Sequence, residues 1–511
     1  MRDFAGAAGG LHGGVRHRQV GGLKVLNMTV GAGLGAAGEA NDERCDSQDK
    51  MLVASDRRTV ILLWLAMLAL CVFFACVQPV WSRVDEAQHF HYVQYIVENR
   101  VLPVEGKTFI SPEVVDISLR KDQWGWKPAG TISTPSRHDP DSWIGVQDNL
   151  DDEYREAWVR RNLWYFSYEA MQPPLYYLVN TPVYAATPGD SLAKLYAMRL
   201  LAALLASSMV PIAWLFAREA YPGSRLVTLG APVTVLLTQG YLLNMSQVSN
   251  DVLAVPLAAA SLLLLLRIVA RGLVWKRSVL AGALIGASLL SKMTTIFLLP
   301  VAFLALCLLV VYRRELWSRA LLHAGIIYGT VTACLFPWLL RNLVVYGDAT
   351  GASAARPLMS SFFRSPTISL DTLRLEELLP TYWFGEPVFP FPFWAYAWFA
   401  VFSIMTVAAV GILFYFTHGE DQNRDARIRV MFVSLAFILG LAINLLLPFG
   451  SGIGGVPGRY LYSLMPAMAF LLMFGVERLL GRLKARFLVE IMLVWLILWE
   501  SLNLLAYTQN R

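Results

Sequence analysis

One feature constrains this chain more than any other: apolar stretches of about 20 residues recur almost to its end. They lie near 59–80, 195–217, 226–243, 252–270, 278–292, 294–312, 320–340, 391–416, 429–448, 460–477 and 487–507. A helix of that length crosses the hydrocarbon core, and in lipid every backbone N–H and C=O must be satisfied within the segment. The expectation is an all-α integral membrane protein with about eleven transmembrane helices. Composition agrees, since only 16% of the 511 residues are charged, against about 25% in soluble domains. The run at 278–292 is short. A further run, 173–188, is interrupted by Pro173, Pro174 and Pro182 and reads as an interfacial helix that does not cross.

Lys and Arg set the orientation. With the N-terminus in the cytoplasm behind Arg57 and Arg58, the inside loops carry Arg218 and Arg225, then Arg271, Lys276 and Arg277, then Arg313, Arg314 and Arg319. Arg424, Arg427 and Arg429 follow, and after them Arg478, Arg482, Lys484 and Arg486. If 173–188 crossed, every later loop would invert and the bias would vanish. The net charge of +6 is therefore a topology signal and not a nucleic-acid patch, and no nucleic-acid partner is expected. Residues 1–58 are Gly/Ala-rich and polar and read as a disordered cytoplasmic segment, with Met28 and Met51 as alternative starts. The membrane region runs over 59–480, and 481–511 adds one more span and a short tail. Of the five Cys, Cys71, Cys76, Cys307 and Cys334 sit in apolar runs and Cys45 in the polar head, so neither a disulfide nor a thiolate metal site is expected.

This orientation leaves two large extracytoplasmic loops, 81–194 and 341–390. The first holds 15 Asp/Glu against 10 Lys/Arg between Trp81 and Met171. It opens with Trp81-Ser-Arg-Val-Asp-Glu-Ala-Gln-His, after which Phe90, Val93, Ile96 and Val97 recur at helical spacing. Asp85 and Glu86 thus open an amphipathic helix at the outer interface, with Asp85, His89 and Tyr92 on one face. A capping box from Ser82 to Asp85 is the plainer reading of the same residues. Asp85, His89 and His91 are candidate metal ligands, but the two histidines point to different helix faces, so no shared metal is expected.

Further along, Gln172-Pro-Pro-Leu-Tyr-Tyr starts an apolar-aromatic helix, and Asn244-Met-Ser-Gln-Val-Ser-Asn-Asp251 forms an outside turn where Asn250 or Asp251 is also a plain N-cap. Trp124, Trp126, Trp143, Trp158 and Trp164 anchor or pack the first loop, or stack on sugars. Three basic residues, Lys292, Arg341 and Arg459, break the positive-inside trend by lying on the outer side. One alone reads as a snorkelling anchor; three at span ends of one leaflet suggest a common anion such as a lipid phosphate.

The order Asp-Glu-x-x-His after the first span, Pro-Pro-Leu-Tyr-Tyr, the Ser-Asn-Asp turn, Ser-Lys-x-Thr, Arg-Asn-x-x-x-Tyr-Gly-Asp and Gly-Arg-Tyr resembles the GT-C membrane glycosyltransferases. That superfamily includes protein mannosyltransferases and the aminoarabinose transferase of lipid A, and the likeness is nearest to a bacterial branch carrying Asp-Glu-x-x-His. It covers roughly 59–480. It implies a helical bundle with interfacial helices in a long first loop, and a hexosyl or pentosyl transferase using a polyprenyl-phosphate sugar. The acceptor would be a cell-envelope glycan, a lipid or a protein, and the site would lie on the outer face of the plasma membrane. Asp85 matches the family's general base and Glu86 is the second choice; Lys292, Arg341 and Arg459 match phosphate contacts; His89, Gln172 and Asp251 match acceptor or orienting positions. Gln172 stands where the named relatives carry His before Pro-Pro, and no WWDYG-like signature is present.

The chemistry this implies is simple. The sugar leaves with a phosphate that departs readily, so catalysis needs a base at the acceptor hydroxyl and cations on the phosphate. One clearly placed acid points to inversion at the anomeric carbon. The residues name no cofactor, and a divalent metal is compatible with this chemistry but not indicated by them. A transporter is the first competing reading, but the hydropathy shows no two-fold repeat and the mid-span regions carry almost no ionisable residues. A non-catalytic scaffold of the same fold is the second.

Overall fold

The computed structural model describes residues 55–81, 85–111, 113–114, 117, 167–351, 375–385, 393–418, 423–451 and 458–482. The last apolar run at 487–507, the polar head with Cys45, most of the 341–390 loop, Ser82 and the five first-loop tryptophans lie outside these residues.

The described elements are helical. They are α1 (Ser55–Val77), α2 (Glu86–Asn99), α3 (Leu175–Ala186), α4 (Ser191–Ser207), α5 (Met209–Ala220), α6 (Arg225–Leu236), α7 (Gln239–Met245) and α8 (Asp251–Arg271). After these come α9 (Trp275–Ser291), α10 (Leu298–Arg313), α11 (Trp317–Tyr346), α12 (Leu375–Trp383), α13 (Phe393–His418), α14 (Arg424–Ser451) and α15 (Met465–Arg482). Among the described residues eight helices are long and apolar enough to cross a membrane, α4 and α5 counting as one, or nine if the bent pair α6–α7 is a single span. The expected eleven differ from this in three places. The 17 residues of α9 reach about 25 Å, short of a core of about 30 Å. The 226–243 run bends by 53° between α6 and α7. The 487–507 run is outside the described residues. Helix α3, with 12 residues or about 18 Å, is too short to cross.

Alternation of these spans collects the C-terminal ends of α1, α9 and α11 with the N-terminal ends of α8 and α15 at one end of the bundle. The other end gathers the basic loops, where they link neighbouring helices. Arg271 pairs with Glu219 at 2.5 Å, Arg313 with Asp425 at 3.1 Å, and Arg424 donates to the Tyr312 carbonyl.

The most enclosed span is α8, which packs against α4, α5, α9, α10 and α14. Lipid tails are as apolar as Leu, so helices in a membrane gain by close approach, and small residues permit it. Gly282 and Gly286 form such a face on α9. A Cβ on Gly282 would stand 2.6 Å from the Ile327 carbonyl oxygen of α11, and one on Gly286 would stand 2.7 Å from the Cys334 Cβ.

Candidate functional site

Helix α2 begins where the end of α1 turns back, and its first nine residues are all buried. It is packed against α3, the 3₁₀ turn Tyr168–Met171 and the loop after it. Asp85 is its N-cap residue, but the side chain makes no capping bond. Instead Oδ1 accepts from the Tyr168 hydroxyl at 2.9 Å, and Oδ2 accepts from Arg459 Nη2 at 2.9 Å. Burial alone would raise the Asp85 carboxyl; the Arg459 charge, nearby His89 and these hydrogen bonds outweigh it and hold the group below its ordinary 3.8. Asp85 is a carboxylate at neutral pH.

One turn on, His89 Nδ1 lies 2.9 Å from the Tyr177 hydroxyl, and its ring stacks on the Tyr177 ring. Burial pushes the imidazole down to about 4, so it is neutral at pH 7. Tyr177, from Pro-Pro-Leu-Tyr-Tyr, also stacks on Tyr92, whose hydroxyl donates to the Gln172 carbonyl. Gln172 thus enters the site region through its backbone.

Asp251 opens α8. Asn250, the N-cap residue, makes no side-chain capping bond either, and the Asp251 Oδ1 instead accepts from Lys292 Nζ at 2.7 Å. Lys292 sits at an extended break (φ −158°, ψ 126°) between α9 and a 3₁₀ turn, which directs its side chain inward. It is 8% exposed and lies over the Tyr460 ring, so it is not a snorkelling anchor. Arg459 is carried on the 3₁₀ turn Gly458–Leu464 ahead of α15. Gly458 permits that turn to press against Tyr382 and Leu378, where any Cβ would collide. Arg459 Nε is buried with no hydrogen-bond partner among the described residues.

Asp85, Glu86, His89, Gln247, Asp251 and Arg459 line one small pocket that opens to the outside. Lys292 reaches it through Asp251. The structure therefore brings together five of the expected residues: Asp85, His89, Asp251, Lys292 and Arg459. It treats the other three differently. Glu86 borders the pocket, but both its oxygens are held by Arg199. Arg341 donates to the Pro103 carbonyl at 2.6 Å and lies between the Trp338 and Tyr346 rings, fastening the first loop to α11. Gln172 contributes the carbonyl noted above.

Sequence reasoning missed Tyr168, Glu169 and Arg199. The signal for Glu169 was a lone acid three residues before Gln172-Pro-Pro; that for Arg199 was an arginine inside the 195–217 run. Burial, with the Asp85 charge beside it, pushes the Glu169 carboxyl up to about 8. Its Oε2 is buried, without a hydrogen-bond partner among the described residues, 3.9 Å from His89 Nδ1. Asp85, His89 and Glu169 present ligand atoms all within 4.8 Å of one another, a set able to share a cation. His91 stays apart, accepting from the Ser111 amide.

Residues 184–340 match the family model of dolichyl-phosphate-mannose-protein mannosyltransferase. A comparison with curated proteins finds no match. Solved structures that resemble the chain include the oligosaccharyltransferase AglB of Archaeoglobus fulgidus in complex with an inhibitory peptide and a dolichol-phosphate, at 11% identity and a TM-score of 0.47. That match covers 88% of this chain and 54% of the archaeal one, so the chain spans about half the length of that relative. They also include ArnT of Cupriavidus metallidurans bound to undecaprenyl phosphate, at 12% identity and a TM-score of 0.31, covering 83% of this chain and 78% of that one. The matched segment runs from α3 to α11 and contains Asp251 and Lys292. With the apolar helices around it, the chain is a multi-pass membrane protein whose segment 184–340 is similar to the dolichyl-phosphate-mannose-protein mannosyltransferase family.

Proposed function

We propose that the protein transfers a sugar from a polyprenyl-phosphate donor to a hydroxyl of a glycan, lipid or protein acceptor, on the extracytoplasmic side of the plasma membrane. The observation that carries this reading is the pocket itself. A half-buried carboxylate, Asp85, stands there beside Arg459, which keeps an unused donor, with the Lys292–Asp251 pair at the edge.

In this reading Asp85 is the general base. Without donor, Arg459 is its counter-ion and weakens it as a base. An incoming phosphate competes for Arg459, as Arg accepts oxyanions through several N–H groups at once. Once the guanidinium has moved to phosphate, burial is left to raise Asp85, and its basicity grows when the donor is in place. Tyr168 keeps one carboxylate oxygen oriented while the other is freed for the acceptor O–H. Lys292, drawn from Asp251, adds a second positive charge as the phosphate leaves. A single base contributes about 10²–10⁴-fold, so alignment of donor and acceptor supplies the rest. With one base on the acceptor side, the anomeric carbon inverts. His89, neutral and fixed by Tyr177, serves as a hydrogen-bonding wall for the acceptor.

The test is reconstitution with a panel of polyprenyl-phosphate sugars while release of polyprenyl phosphate is followed. Turnover of at least one donor is expected. Absence of both turnover and donor binding across the panel would discard the reading in favour of transport or a scaffold.

A further inference from the structure

Arg199 is the largest fully buried side chain among the described residues, and it lies within the 195–217 apolar run, about two turns into α4 and away from any basic loop. An arginine has five N–H donors, and here every one has an acceptor. Nε donates to Glu86 Oε1 at 2.7 Å, and Nη2 to Glu86 Oε2 at 2.6 Å and the Pro79 carbonyl at 2.8 Å. Nη1 donates to the carbonyls of Ala75 at 3.0 Å and Gln78 at 2.8 Å. Glu86 is equally saturated: Oε1 also accepts from the Val248 amide at 3.1 Å, and Oε2 from the Trp81 amide at 3.2 Å.

Three separate backbone segments therefore meet on one ion pair. They are the C-terminal end of α1, the turn into α2 that carries Asp85, and the 246–250 turn that leads into Asp251 at the start of α8. Neither member has a donor or lone pair left for a substrate, in contrast to Arg459 with its unused Nε. We infer that Arg199 and Glu86 are positioning residues that act as one clamp, fixing the Asp85 and Asp251 carboxylates relative to each other across chain segments that Gln78 also joins, through the Leu243 carbonyl and Gln247. The catalytic consequence rests on the transfer reaction proposed above; the clamp itself does not.

The variant that removes the clamp without stranding a charge is Glu86→Gln/Arg199→Met in the full-length protein, since an apolar or neutral replacement of a whole buried pair is tolerated far better than loss of one member. Two readouts are needed. Hydrogen–deuterium exchange of peptides containing Trp81 and Val248 is expected to quicken at least tenfold, while exchange in α8 and α9 stays unchanged. Per folded molecule, kcat with a polyprenyl-phosphate sugar is expected to fall about 100-fold with donor affinity retained, because Lys292 and Arg459 are untouched. Arg199→Lys, which keeps the charge but has too few donors for all three segments, is expected to fall between the two. Unchanged exchange at both segments, or full kcat per folded molecule in the double variant, would overturn the inference. A wild type that is silent with every donor would count against the transfer reaction alone, and the exchange data would then judge the clamp.

Discussion

Lys292→Met tests the electrostatics of the site most informatively. The Lys292 and Asp251 side chains are 11% and 6% exposed and 2.7 Å apart, so the pair belongs with buried rather than surface salt bridges. At an effective dielectric of about 20 their attraction is roughly 6 kcal/mol, most of it offset by desolvation. Replacing Lys292 alone leaves the Asp251 charge buried and unpaired, which costs about 3–5 kcal/mol. The double variant Lys292→Met/Asp251→Asn removes both charges and should return to within about 1 kcal/mol of wild type. In detergent, the single Lys292→Met variant should melt on the order of 5 °C lower and the double close to wild type. Donor turnover separates structure from chemistry, since it should stay low in the double variant despite its regained stability. A double variant that regains turnover, or a coupling below about 0.5 kcal/mol, would refute this account of Lys292.

Three further expectations follow from the same geometry. In Arg459→Met the charge that holds Asp85 low is gone while burial remains, so the carboxyl rises above its ordinary 3.8. Wild type keeps the Asp85 contribution to stability above that value and loses it as pH falls through the depressed one; the variant instead loses stability as pH rises through the raised one. Melting profiles between pH 4 and 8 check the sign. Mn²⁺ titration followed by electron paramagnetic resonance should reveal one site built from Asp85, His89 and Glu169, weakened about tenfold or more by Glu169→Gln; equal affinity in the variant would exclude that ligand set. Gly282→Leu should separate α9 from α11 at a cost of about 1–3 kcal/mol, seen as a lower melting temperature, whereas the same change at Gly325, where a Cβ meets nothing within 4 Å, should be nearly silent.

Much of the bundle was legible in the sequence because lipid leaves the backbone few choices: a 20-residue apolar run must be a helix, and the basic loops alternate with it. What periodicity cannot report is a break inside a run, such as the bend between α6 and α7, or the length of α9. At the site, Asp85, His89, Asp251, Lys292 and Arg459 could be gathered in advance because each lies at a span end on one side. Their pairing could not. Neighbours on a helix diverge by about 100°, which is why Asp85 faces Arg459 while Glu86 faces Arg199, a contrast invisible in the dipeptide. Arg199 hid inside an apolar run, where a charge signals either function or a buried partner and the sequence does not name the partner. Tyr168 and Glu169 reach Asp85 across more than 80 residues of first loop, a distance over which no local spacing rule operates. Arg341 had the right charge on the right side, yet two flanking aromatic rings and the Pro103 carbonyl engage it elsewhere.

The most direct test of the central claim compares wild type with Asp85→Asn in matched proteoliposomes, at equal folded protein and with a donor that wild type turns over. Asparagine preserves the shape of the side chain and its contact with Tyr168 but cannot accept the acceptor's proton. The account predicts a fall in polyprenyl-phosphate release of at least 100-fold, with donor binding kept. Equal release by the two proteins would contradict it and remove Asp85 from the reaction.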